Sequence, residues 1–266
     1  MKAVLTVALL MALVFLARPV MAQPTLERLY VIECGERTAP DVAPWTPGVN
    51  VGKPVDFVDT CYLLKHGDDW MIWDTGLTDA LFTTPSTDPN AWKRTKSLAG
   101  ELEKIGVKPA DIKYVAVSHT HSDHIGNVEL FPEATLLVQK AEYDWPGQGG
   151  KPRFLPGHPA KILAGDYDVF GDGSVTLIST PGHTPGHQSL LVRLPQTGAV
   201  LLSGDAVHLT DNWEAKRVPA INVDKEKSAA SMQRMSDLIK QTNAQLWINH
   251  DKPQSLTMKR PPEFYR

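Results

Sequence analysis

The sequence predicts an α/β fold of stacked sheet and helix layers, on three observations. Short apolar runs rich in β-branched residues recur along the chain, as in Tyr114–Ser118, Val175–Ile178, Val200–Gly204 and Leu246–Asn249. Each has the length and composition of a buried strand. Two longer stretches, Ser97–Ile105 and Asp224–Lys240, carry helical patterning. No Gly/Ser/Pro linker, low-complexity tract or long charge run divides the 266 residues. Strands followed by a helix in each half suit two sheets packed together with helices outside.

Taken in order, the chain begins with Lys2 and the apolar run Ala3–Ala17, and Val20-Met21-Ala22 places small residues before Gln23. This pattern reads as a secretory signal peptide cleaved after Ala22, because the run is short of the ~20 residues a spanning helix needs. The expected organisation is a signal peptide over 1–22 and one domain over 23–266, with a periplasmic or secreted location and no stable membrane association after processing. Loss of Lys2 and Arg18 takes the formal charge from −3 to −5. A mildly acidic surface gives no electrostatic footprint for nucleic acid. Cys34 and Cys61 end and begin expected strands. An exported pair can form one disulfide, but bonding needs Cα atoms within about 7 Å, and two free, buried thiols are the expectation here.

His66, at a Gly-Asp-Asp turn, reads as a solvated loop residue, and His158 as loop-borne without a role. Phe82, Trp92 and Phe154, together with Trp45, sit in loops rich in Pro and Thr. They are the candidates for a substrate pocket, since ligand sites are mostly apolar. In the second helix Asp224 is the expected N-cap, and Met232, Met235, Leu238 and Ile239 fall on one face, most simply the core face.

The densest chemistry lies at His119-Thr120-His121-Ser122-Asp123-His124, directly after the apolar run Tyr114–Ser118. Imidazole and carboxylate suit Zn²⁺ or a neighbouring first-row metal. His119 and His121 can point to the same side of an extended loop, whereas the adjacent Asp123 and His124 must turn toward another point. One ion does not easily use all four, which suggests two metals about 3.5–4 Å apart, as in two-metal hydrolytic sites. Further ligands must come from other loops. His183, Asp205 and His250 each follow an apolar run, so four strand ends deliver His or Asp to one rim.

The motif His119-x-His121-x-Asp123-His124, followed by His183, Asp205 and His250, resembles the metallo-β-lactamase superfamily. Within it the chain is most similar to the N-acyl-homoserine lactonases, through Cys61–Leu64, Trp73–Gly76, Gly165–Tyr167 and Thr180–Leu190. The likeness runs from roughly Leu29 to Asp251. It implies an αββα sandwich and a small-molecule lactone substrate whose ring is opened by a metal-bridging hydroxide. It also implies one metal on His119, His121 and His183 and another on Asp123, His124 and His250, with Asp205 bridging. Two Zn²⁺ are expected, although Co²⁺, Mn²⁺ or Fe²⁺ can take the same ligands. Asp74 corresponds to a position that orients ligands through hydrogen bonds, and Asp123 is placed to shuttle a proton to the leaving alkoxide. A homodimer is compatible with the sequence.

One position departs from these relatives. Three residues after the bridging Asp they commonly carry Tyr, where this chain has His208. Imidazole can also donate to a developing oxyanion, so His208 is a candidate catalytic residue. His187 reads as a buried histidine bonded to a neighbour rather than a further ligand. The alternative function is an exported hydrolase of the same fold acting on another ester class, an organophosphate triester or another lactone. Asp205 counts against a zinc β-lactamase, the short tail against a glutathione thioesterase, and His121 against a di-iron oxidoreductase.

Overall fold

The computed structural model describes residues 25–147, 154 and 156–266; the signal peptide expected over 1–22 lies outside them. Two sheets form its centre. In the first, β1 (Leu26–Ala39), β2 (Val55–His66), β3 (Asp69–Trp73), β4 (Ile112–Ala116), β5 (Thr135–Gln139) and β6 (Ala160–Leu163) lie side by side in that order. The second runs from β7 (Tyr167–Asp168) through β8 (Val175–Ser179), β9 (Gln188–Leu194) and β10 (Gly198–Leu202) to β11 (Gln245–Trp247). The first two strand junctions of the first sheet are antiparallel and the rest parallel.

Alternation along the strands shows the layering. Leu29 and Val31 of β1 join Leu190 and Val192 of β9 in the core between the sheets. Their neighbours Tyr30 and Ile32 pack on the opposite face with Leu98 and Leu102 of the helix Leu98–Ile105. Leu191 and Leu201 face outward from the second sheet onto Met232 and Met235 of the helix Lys225–Thr242. Both faces of each sheet are thus covered, as an αββα sandwich requires. Both helices begin where sequence chemistry places them: Ser97 accepts from the Gly100 N–H and Asp224 from the Lys227 N–H, filling donors that the first turn leaves free.

Two expectations are overturned. Cys34 and Cys61 are not free thiols at strand ends; they lie within β1 and β2 and form a disulfide, with Cα atoms 5.9 Å apart. The two strands are antiparallel neighbours, and a register shift between Glu33 and Gly35 sets Cys34 beside Cys61. His66 is not solvated either. It is buried at the end of β2, its Nε2 2.8 Å from an Asp172 carboxylate oxygen and its ring stacked on Phe170 at 3.9 Å. A turn sequence signals exposure only until another loop packs over it.

Candidate metal centre

Each histidine or aspartate of the expected set leaves a strand at the same edge of the sandwich. The chain passes from β4 through Ser118 and His119 into a short helix, Ser122–Ile125, whose N-cap is His121 and whose first turn carries Asp123 and His124. His183 follows β8, Asp205 sits in the 3₁₀ turn Gly204–Ala206 after β10, and His250 follows β11. Close packing limits the residue before Asp205 to glycine: Gly204 has φ +51°, and a Cβ there would lie 2.7 Å from His187 Nε2.

Two donor groups result. His119, His121, His183 and Asp205 offer one ligand atom each within 4.8 Å of one another, and Asp123, His124 and His250 form a second such group. Asp205 joins them. Its Oδ2 lies 3.7 Å from His119 Nε2 and 3.3 Å from His183 Nε2. Its Oδ1 lies 3.3 Å from His124 Nε2 and 3.0 Å from His250 Nε2.

The imidazoles are turned by partners outside the cluster. His124 Nδ1 meets Asp74 Oδ2 at 2.9 Å, His183 Nδ1 meets Asn222 Oδ1 at 2.9 Å, and His250 Nδ1 meets the Val58 carbonyl at 2.8 Å. His119 Nδ1 meets Ser118 Oγ at 3.0 Å. Acceptors at Nδ1 keep the proton there and leave the Nε2 lone pair facing the centre, the arrangement seen around metal-ligating histidines. Asp74 therefore touches a candidate ligand without joining either group, and its other oxygen accepts from the Ser118 N–H at 2.6 Å. Asp74 holds this position at φ +55°, a left-handed conformation that non-glycine residues keep only where the surroundings enforce it.

The electrostatics favour a cation. Burial lowers the pKa of His119, His121 and His183, and for His119 repulsion from His124 and His121 adds to it, holding this group well below the usual value. For His250 burial acts the same way, but the attraction of Asp205 outweighs it and the pKa is pushed up to about 9. Carboxylates that draw protons onto buried histidines mark a site short of positive charge, which a divalent ion supplies. Asp205 Oδ1 and His124 Nε2 are also buried without a hydrogen-bond partner. Unpaired buried polar atoms are costly, and a metal ion is the partner that two facing lone pairs lack. The donor set fits divalent metal.

Above the cluster lies a cavity of about 100 Å³ whose wall includes Arg37, Trp45, Phe57, Trp92, His208 and Ile221. Of the expected pocket residues only Trp92, with Trp45, is there. Phe82 projects from the helix Ala80–Thr83, 45% exposed, and Phe154 packs beside Tyr143 with ring centres 6.0 Å apart; neither lines the cavity. His208 is buried, its Nε2 3.1 Å from Asp205 Oδ2. His187 stays outside both donor groups: its Nε2 accepts from the Asp205 N–H at 2.9 Å, its Nδ1 bonds Thr180, and burial holds its pKa down at about 3.

Sequence reasoning missed several supporting residues. Glu142 accepts from Thr120 N–H and Oγ1, both at 2.8 Å, and from the Gly186 N–H at 3.0 Å, tying the loop of His119 to that of His183. Asp59, fully buried, accepts from the Leu77 N–H at 3.2 Å beside Asn249, and burial pushes its pKa up to about 7. An isolated acid in an amphipathic stretch carries no signal of such a contact.

A model of the metallo-beta-lactamase superfamily matches residues 55–238. The N-acyl homoserine lactonase AttM of Rhizobium johnstonii is 35% identical to this chain over 239 residues, covering 82% of this chain and 89% of the relative. The N-acyl homoserine lactonase AiiA of Bacillus thuringiensis subsp. kurstaki is 30% identical, with 90% and 99% covered. A solved structure of an N-acyl homoserine lactone hydrolase, with the product N-hexanoyl-L-homoserine bound at the catalytic metal center, superposes with a TM-score of 0.79. It is 31% identical and covers 90% of this chain and 99% of that one. Sequence motif, sandwich architecture and converging donors agree: the chain belongs to the metallo-beta-lactamase superfamily.

Proposed function

We propose that this protein is a binuclear metal-dependent hydrolase that opens the lactone ring of N-acyl-homoserine lactones, and so quenches quorum signals. The observation that carries the reading is the split of Asp205, one oxygen facing His119 and His183, the other His124 and His250. A carboxylate so placed would hold two ions at once. His119, His121 and His183 would hold one, and Asp123, His124 and His250 the other. Zn²⁺ is the natural occupant of such a set, and Co²⁺, Mn²⁺ and Fe²⁺ suit the same ligands. When bound, the pair supplies Lewis acidity to the ester carbonyl and a water acidified enough to attack it near neutral pH.

The chain's own groups do the rest. His208, on the cavity wall, donates to the oxygen on which charge develops. Asp123, whose carboxylate is 17% exposed at the rim of the cluster, takes the proton of the attacking water and returns it to the ring oxygen as the ester C–O bond breaks. Trp45, Phe57 and Trp92 give the acyl chain an apolar wall. A pH-stat panel tests this, with acyl-homoserine lactones of several chain lengths, simple lactones, paraoxon, a thioester and a β-lactam. Acyl-homoserine lactones should give the highest kcat/KM, and a faster thioester, β-lactam or paraoxon overturns the reading.

The location belongs to the same proposal: the chain is exported, to the periplasm or beyond. Its support is the run Ala3–Ala17 with small residues before Gln23 and a disulfide of the kind that persists in oxidising compartments. Expression in a secreting host should give protein whose intact mass corresponds to a start near Gln23. Retention of Met1 in a membrane fraction would instead indicate an anchor. Among the described residues no helix is long and apolar enough to cross a membrane.

A further inference from the structure

Among the described residues that line the cavity, Arg37 is the one arginine. It sits on β1, with its guanidinium carbon 6.0 Å from the Trp45 ring centre and 5.6 Å from that of Trp92. It shares the cavity wall with Asp205 and His208. Its Nε is buried and has no hydrogen-bond partner. Arg94 and Arg260 also leave one buried nitrogen each without a hydrogen bond, Nη2 and Nη1, but Arg94 is anchored by protein groups away from the cavity. It gives Nε to the Lys96 carbonyl at 3.0 Å and Nη1 to the Leu77 carbonyl, and it faces Asp79 at 3.3 Å. Cation–π attraction to the two indoles holds the guanidinium beside the cavity without using up its N–H groups. An unfilled buried donor is costly for the protein alone, and becomes favourable when a ligand brings an acceptor.

We propose that Arg37 is a specificity-determining residue that donates to the exocyclic amide carbonyl of an N-acyl lactone while the neighbouring ring is opened. The proposal rests on the lactonase reading above and adds the part of the substrate that is read. An N-acyl-homoserine lactone carries its amide on the carbon next to the scissile carbonyl, so an acceptor lies within a few bonds of the reacting centre. The substrate is uncharged, and nothing else it offers besides the ester suits a guanidinium. Beside Arg37 the wall carries Trp45, Phe57, Trp92, Ile221 and His208; the indoles and imidazole offer single neutral donors, whereas the guanidinium brings a charged one, the stronger match to a carbonyl oxygen. A site built to donate to such a group discriminates against an analogue that lacks it.

The test uses the metal-loaded full chain with two substrates, N-hexanoyl-homoserine lactone and an alkyl γ-lactone of similar size without the amide. Arg37→Ala should lower kcat/KM on the acyl-homoserine lactone about 10–100-fold, the scale of a lost charged donor. The loss should fall mainly on KM, because the amide does not react, and the alkyl lactone should stay within about threefold of the parent. Arg37→Lys, which keeps a donor but not the planar guanidinium, should show a smaller loss confined to the same substrate, and decides the matter if the alanine variant folds poorly. Equal losses on both substrates, or no loss on either, overturn the proposal. If the parent opens the acyl-homoserine lactone well while its ratio to the alkyl lactone is unmoved by either variant, Arg37 alone is misassigned. A parent that opens neither lactone removes the lactonase reading, and this inference with it.

Discussion

Asp205→Asn should cost more turnover than any other isosteric change in this protein. Asn keeps the shape of the side chain but gives up the charge, and one of its two terminal atoms becomes a donor that cannot ligate. The side chain can then face only one of the two donor groups, whereas Asp205 has an oxygen within 3.3 Å of His183 Nε2 and another within 3.0 Å of His250 Nε2. The expected loss in kcat exceeds the roughly 10²–10³-fold that one transition-state donor contributes, with metal content falling below two ions per chain. Circular dichroism should show the fold retained, because the backbone N–H of Asp205, bonded to His187 at 2.9 Å, is untouched. Elemental analysis giving one metal in fully active parent protein, or an Asn variant with two metals and near-parental turnover, would sink the binuclear mechanism.

His208→Ala should lower kcat/KM about 10²-fold, on the scale of one lost oxyanion donor. The imidazole is buried on the cavity wall with its Nδ1 unpaired and its Nε2 3.1 Å from Asp205 Oδ2. Metal content separates two consequences of that geometry. Two ions retained alongside the lost activity mark a donor to the substrate, whereas lost metal shows that the ring serves Asp205 instead. His208→Tyr should recover part of the activity, since a phenol makes a comparable donation. An alanine variant within about threefold of the parent is too close for a lost donor of that scale and would leave His208 without a role in the chemistry.

The candidate ligands were legible because each follows an apolar strand run, and a polar residue at a strand end has few bland purposes. The helix starts were legible for a similar reason, since Ser97 and Asp224 act on N–H groups three residues away. The groups that turn the ligands were not. His124 is oriented from 50 residues away by Asp74, His183 from 39 away by Asn222, and His250 from 192 away by a backbone carbonyl of Val58. Contacts at such separations depend on which strands neighbour one another, and local pattern does not encode that. Cys34 and Cys61 were misread for the same reason, their pairing being set by the register of β1 on β2. Phe82 and Phe154 show the opposite error: aromatic character in a loop is compatible with a pocket but does not locate one. Arg37 drew no notice because a single cation within a strand run looks like a solvated edge.

The bond between Cys34 and Cys61 spans 27 residues of sequence. Closing a loop of that length removes about 3–4 kcal/mol of freedom from the unfolded chain in the chain-entropy view. That contribution acts on the denatured ensemble, so it does not depend on whether the histidine cluster is loaded. Two independent reserves of stability follow, one that a chelator withdraws and one that a reductant withdraws. Wherever competing ligands strip the ions, the second reserve would remain and with it a folded scaffold ready to take up metal again.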